Sequence, residues 1–172
     1  MITKNFSPGI FVGFNQHFLN SYTLELTNEM IHELPDYFHP ILFQERIEKL
    51  YEIRSFYLNG SFYSSAILSQ NDKKTMVDFR NYNHEKPNRT PPYNLPVQVT
   101  NKLNNLMKKL ELQSGSIDLL VTLDGDFIFL EVNPIGQFSQ VSRPCNYHLE
   151  SKIADSLIHI HHERRNIESI KI

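Results

Sequence analysis

Three oxygen-bearing side chains, Asp118, Glu131 and Asn133, are spaced so that a chain folding back between them would gather them at one point. Hard oxygen donors of this kind suit Mg2+, which keeps several waters and is completed by substrate phosphates. The plainer alternative is that they are ordinary polar residues at a strand end. A carboxylate inside the apolar run Phe127–Val132 favours the metal, because a charge buried there needs a partner or a cation. Two further pairs set opposite charges two residues apart, Glu52 with Arg54 and Asp78 with Arg80. Such spacing puts both members on one face of an extended segment. A guanidinium there suits carboxylate or phosphate, because its fixed fork meets two oxygens at once. The competing reading is an exposed ion pair worth only about 0–1 kcal/mol.

The elements that must position these residues are legible as hairpins. Ile117–Thr122 and Phe127–Val132 flank Leu123-Asp124-Gly125-Asp126, and Asp-Gly between β-rich runs is a strong hairpin signal. Glu131 and Asn133 share a face, and pairing the two runs brings Asp118 near them, with Pro134 stopping the ladder. Asn59-Gly60 joins Tyr51–Leu58 to Ser61–Leu68 in a second hairpin. Ser21–Leu26 reads as a strand and Thr75–Arg80 repeats the extended pattern, while Ser7-Pro8-Gly9, Leu34-Pro35 and His39-Pro40 mark turns and loops. Asn81–Pro96 holds four prolines and reads as a long loop with a solvated Arg89. A helix follows from Pro96, burying Val99, Leu103, Leu106 and Leu110, with Lys102, Lys108 and Lys109 in solvent. Asn133–Asn146 reads as irregular, and Gly136 and Gln137 would let backbone approach a ligand. A last helix, Tyr147 to Glu163, would bury Leu149, Ile153, Leu157 and Ile160. His159, His161 and His162 read as cations near its C-terminus rather than a metal cluster, and Cys145 as a packed residue.

A chain of 172 residues can bury a real core, roughly 70% of its unfolded surface. With 40% hydrophobic and 21% charged residues it has the composition of a soluble domain, and its net charge of −2 gives no reason to expect a nucleic-acid or membrane partner. The start MITKNFSPGI lacks the apolar centre of a signal peptide, and one cysteine excludes an intrachain disulfide. A cytoplasmic location is the expectation.

Asp118 followed by Glu131-x-Asn133-Pro134 resembles the metal-binding end of the ATP-grasp ligases. The continuation, Gly136-Gln137-Phe138 and Ser142-x-Pro144-Cys145-Asn146-Tyr147-x-Leu149-Glu150, resembles their peptide-maturing branch, the microviridin-type and grasp-with-spasm ligases that make graspetides. The likeness runs from Ile2 to Leu157. It implies an α+β fold, the C-terminal catalytic lobe of an ATP-grasp enzyme: an antiparallel sheet backed by helices, with part of the small lobe. Residues 1–40 would be a remnant of the small lobe, 41–49 the hinge and 50–172 the catalytic lobe. The implied cofactors are ATP and Mg2+, with the metal on Asp118, Glu131 and Asn133. Lys4 would reach the nucleotide phosphates, although a solvated lysine is an equal alternative. Main-chain groups around Gln44, Glu45 and Ile47 would read adenine, Glu52 would hold the ribose hydroxyls, and Arg54 and Arg80 would act at the transferred phosphate. The implied substrate is a ribosomal precursor peptide, whose Asp or Glu side chains are phosphorylated by ATP and then joined to Ser, Thr or Lys as ester or amide rings. The alternative is a truncated, non-catalytic remnant that binds nucleotide or peptide. The chain alone is expected not to ligate, and an unpaired sheet edge would favour homo-oligomers.

Overall fold

The computed structural model describes residues 1–4, 12–14, 17–19, 22–33, 36–37 and 42–170. The turns expected at Ser7-Pro8-Gly9, Leu34-Pro35 and His39-Pro40 lie outside these. In chain order the elements are β1 (Ile2–Lys4), β2 (Val12–Phe14), β3 (His17–Leu19), β4 (Leu24–Glu25), α1 (Asn28–His32), β5 (Leu42–Gln44), β6 (Lys49–Leu58), β7 (Ser61–Ile67), a 3-10 turn (Ser69–Asn71), β8 (Pro92–Tyr93), α2 (Val97–Lys109), β9 (Ser114–Thr122), β10 (Phe127–Asn133), α3 (Ser139–Cys145) and α4 (Leu149–Ile170). An antiparallel five-stranded sheet, ordered β10-β9-β6-β7-β8, carries the core. A three-stranded sheet, β4-β1-β5, and the ribbon β2-β3 precede it. The expected α+β class is what the structure shows.

Both hairpins form for the reasons their turns supply. Asn59 and Gly60 take φ of 46° and 90°, the pair of positive values a type I′ turn needs, so Leu58 faces Ser61 directly. Gly125 turns the β9–β10 connection at φ 87°. Alternation along β6 sends Ile53 and Tyr57 into a core with Ile117, Leu119 and Val121 of β9 and with Leu103 and Met107 of α2. Glu52, Arg54 and Phe56 therefore line the opposite face. Phe138, leading into α3, covers part of that face, its ring 5.8 Å from that of Phe56.

Two β-bulges decide which charges reach that second face. In β10 the register steps from Phe129 opposite Leu119 to Glu131 opposite Asp118, leaving Leu130 unmatched. Val132 and Phe127 both pack on the α2 side, although an even and an odd position would lie on opposite faces of a regular strand. Were Leu130 paired in regular alternation, Glu131 and Asn133 would point into the core. In β6 the register steps from Lys49 to Tyr51, and Leu50 is the unmatched residue. Lys49 is thereby turned to the side of Glu52. Both bulged leucines sit at the surface, 45% and 48% exposed.

Elsewhere the structure corrects local expectations. Thr75–Arg80 is a run of turns: Asp72 O accepts from the N–H groups of Thr75 and Met76, and the Thr75 hydroxyl donates to Ser69 O at 2.8 Å. Such local bonds compete with a strand ladder. Residues 139–145, expected irregular, form α3, because Val141 and Cys145 bury one side of it. Asn146 ends it at φ 52° and Tyr147 N–H returns to Ser142 O at 3.0 Å. The long proline loop contributes the edge strand β8. Of the expected Ser21–Leu26 strand, Ser21 lies outside the described residues, and Leu24 and Glu25 pair with β1. On α2 the buried positions are Leu103 and Met107, one turn apart, whereas Leu110 caps the helix and is exposed. The last helix starts at Leu149 and continues to Ile170, so His159, His161 and His162 lie within it. Leu149 is buried, but Leu157 is exposed, because α4 stands off from Phe56 and Phe138 across a groove of about 280 Å³.

Candidate functional site

The carboxylates meet through strand register. Asp118 of β9 lies between Arg54 of β6 on one side and Glu131 of β10 on the other. Asn133 follows on the same face, and its amide donates to Glu131 Oε1 at 3.0 Å. Two like charges directly opposite one another across a ladder repel. Arg54 offsets this: its Nε donates to Asp118 Oδ1 at 2.8 Å and its Nη2 to Oδ2 at 2.7 Å. Its third nitrogen, Nη1, donates to Gln140 Oε1 of α3, and the guanidinium stands 5.8 Å from the ring centre of Phe79. Arg80 is bonded to Asp78, which favours its protonated form first, with Glu131 and Asp118 adding to this through charge alone.

Asp78 is the joint between this site and the three-stranded sheet. It is buried, and it accepts from Thr23 N–H at 2.9 Å and from Arg80 Nη2 at 2.6 Å. Burial by itself would raise its pKa, but the bonds from Arg80 and Thr23 outweigh burial and hold it below the ordinary 3.8. A lowered folded value stabilises above the unfolded pKa and is lost as pH falls through the folded one. Acid unfolding of Asp78→Asn is therefore expected to lack part of the stability loss that the native chain shows below pH 3.8. Matched urea titrations between neutral pH and pH 3 would show it, and parallel curves would refute it.

Glu52 is 6% exposed and meets Lys49 Nζ at 2.5 Å and the Ser69 hydroxyl. Burial dominates here and raises its pKa despite those partners. Lys4 closes β1 opposite Leu42, and no hydrogen bond or ion pair joins it to the carboxylates among the described residues. Gln44 ends β5, and Glu45 and Ile47 lie in the connection to β6, where Arg46 pairs with Glu25 at 2.6 Å. The structure thus groups Arg54, Asp118, Glu131 and Asn133, holds Arg80 on Asp78, sets Glu52 further along the face of Arg54, and leaves Lys4, Gln44, Glu45 and Ile47 on a separate sheet and its connection.

Sequence reading missed Gln140, Phe79 and Lys49. Gln140 was hidden in a segment read as loop, and Lys49 stands three residues from Glu52, a spacing that puts them on one face only because of the bulge. Gly136 also has a packing duty. A Cβ there would lie 2.3 Å from Ser116 Cβ and 2.5 Å from Ser116 N, so its bareness serves packing against β9. Cys145 is packed as expected, its Sγ 3.5 Å from Thr90 O, with burial pushing the thiol pKa up.

The donor set fits a hard divalent cation. It contains only oxygens, it carries two carboxylates, and Asn133 keeps its amide oxygen after donating to Glu131. Beside it the Ser116 hydroxyl is buried with no hydrogen-bond partner among the described residues. Among those residues no group of three or more His, Cys, Asp or Glu side chains is placed to hold a metal ion, so the candidate set is two carboxylates and an amide.

No family model matches the sequence, and no characterised protein matches it at a significant level. Solved structures do. Over 92% of this chain and 47% of theirs, the macrocyclase MdnC of Microcystis aeruginosa MRC, bound with precursor peptide MdnA, superposes with a TM-score of 0.75 at 30% identity. A Chryseobacterium gregarium RiPP-associated ATP-grasp ligase in complex with ADP and a leader and core peptide gives 0.69 at 22% identity, over 80% of this chain and 41% of that one. The ATP-grasp ligase PsnB, complexed with a phosphomimetic variant of its minimal precursor, Mg and ADP, gives 0.64 at 18% identity, over 92% and 45%. The chain has the α+β ATP-grasp fold. It is related to the ATP-grasp ligases that mature ribosomal peptides, and spans about half the length of these structures.

Proposed function

We propose that this chain carries the metal and phosphoryl-transfer site of an ATP-dependent peptide ligase, one that joins Asp or Glu side chains to Ser, Thr or Lys of a ribosomal precursor peptide. The observation that carries the reading is the pairing of Asp118 with Glu131, with Asn133 beside them and the Arg54 fork on Asp118. Two anions, triphosphate and substrate carboxylate, must meet for a carboxylate oxygen to attack the γ-phosphorus and release ADP. Mg2+ held by Asp118, Glu131 and Asn133 would supply charge neutralisation at the phosphate oxygens. Arg54 and Arg80 stabilise charge that builds on the transferred group, and their forks orient the carboxylate that attacks. A hydroxyl or amine of the peptide then attacks the acyl carbon, phosphate leaves, and the nucleophile gives up its proton. Lys4, the main chain around Gln44, Glu45 and Ile47, and Glu52 complete the reading as contacts to phosphate, adenine and ribose. Residues 1–40, 41–49 and 50–172 then act as small-lobe portion, hinge and catalytic lobe.

The test is binding. Calorimetry of the chain with Mg·ATP should show Glu131→Gln weakening affinity at least about tenfold, the least loss expected when a metal ligand or even its outer-shell support is removed. The thermal melt should be unchanged, since Glu131 is exposed. Equal binding by both forms would overturn the reading.

A further inference from the structure

The donors of the candidate cation site are not equally available. Glu131 and Asn133 bond only to one another among the described residues. Asp118 has both oxygens engaged by the Arg54 fork, at 2.8 and 2.7 Å, and the two side chains are only 14% and 16% exposed. A two-point charged contact out of bulk water is far stronger than a surface pair. Arg54 also has somewhere to stay when Asp118 is withdrawn. Gln140 Oε1 accepts from its remaining nitrogen, and the Phe79 ring lies 5.8 Å away. Both partners are neutral and belong to neither the ladder nor the cation's donor set.

We propose that Arg54 and the divalent cation are alternative partners of Asp118. The guanidinium is a placeholder: without the cation it neutralises Asp118 beside Glu131, and on cation binding it is released, still tethered by Gln140, toward the phosphate and carboxylate anions. The inference rests on the proposed metal-site reading and adds a coupling to it. Because such coupling is reciprocal, whatever the ion pair takes from cation affinity, the cation takes from the ion pair. The free site is thus kept from trapping cations without nucleotide, and the arginine becomes available to anions only once the cation is in place.

Mn2+ titration of the full chain, with free Mn2+ read by electron paramagnetic resonance, tests it. Arg54→Gln should bind Mn2+ about tenfold more tightly than the native chain, within the usual range for coupled sites. Arg80→Gln removes an equal charge from the same field but frees no oxygen of Asp118, because Arg80 is bonded to Asp78, so its gain should be clearly smaller. Equal gains in the two variants, or no gain in Arg54→Gln, would overturn the placeholder. Binding that requires Glu131 but ignores Arg54 would overturn it while leaving the metal site standing. Absence of Mn2+ binding in every form would overturn both. A second measurement needs no variant: saturating Mg2+ should shift the Arg54 Nε–H resonance in the native chain, and an unmoved resonance would reject the exchange of partners.

Discussion

Replacing Asp118 by alanine is expected to destabilise the chain by about 3 kcal/mol and, on the proposed metal site, to remove cation binding. The stability loss comes from the partner left behind. Arg54 would keep its charge at 14% side-chain exposure with only Gln140 and Phe79 for company. Stripping one member from a buried pair costs roughly 3–5 kcal/mol, and the residual exposure here places this pair at the lower end. The double variant Arg54→Met with Asp118→Leu should recover most of the loss, since no uncompensated charge remains, while cation binding stays absent. Urea unfolding of Arg54→Met, of Asp118→Leu and of the double variant gives the coupling directly. A loss below about 1 kcal/mol in Asp118→Ala would mean that the pair behaves as an exposed one.

Gly136→Ala should destabilise by a comparable amount for a steric reason. The added Cβ would stand 2.3 Å from Ser116 Cβ and 2.5 Å from Ser116 N, and neither atom belongs to a flexible side-chain end. Relief requires the segment after β10 to lift off β9, which separates Phe138 from Phe56, now 5.8 Å away. Overpacking of this kind costs roughly 3 kcal/mol at its upper end. For a chain of this length that lowers the melting temperature by roughly 10 °C. Calorimetric melting checks it, and a shift under about 2 °C would show that the loop accommodates the methyl group freely.

The hairpins were legible because Asn-Gly and Asp-Gly prescribe their own geometry, and the meeting of Asp118 with Glu131 followed from them. The route to that meeting was not. Counting alternately from Phe127 puts Glu131 on the core side, and no residue type in Phe127–Asn133 announces the bulge that corrects it. Helix α3 was hidden by Gly136 and Pro144, which look like loop residues, whereas Val141 and Cys145 earn the helix only through contacts made after folding. The same holds for Gln140, whose meaning depends on Arg54 being across the interface. Asp78 and Arg80 were rightly paired but for the wrong reason: they meet in a turn, where Asp78 Oδ1 also accepts Arg80 N–H at 3.0 Å, and not along a strand. Side-chain chemistry was readable where a turn or regular alternation determines it, and unreadable where a bulge changes the face, as at Lys49, or a partner arrives from far along the chain, as at Gln140.

The two surface leucines have a bearing on how such a chain can vary. Each of β6 and β10 is written in two phases joined by a slip, at Leu50 and at Leu130. Single-residue insertions and deletions are ordinarily the most damaging changes to a strand, because everything beyond them changes sides. At a slip the arithmetic reverses. A chain one residue shorter at Leu130 would still set Glu131 against Asp118, now in an unbroken ladder, and one shorter at Leu50 would still set Lys49 beside Glu52. The length of these strands is therefore buffered at the two points next to the charged residues, so that lineages can gain or lose a residue there without moving a carboxylate or an amine to the wrong side.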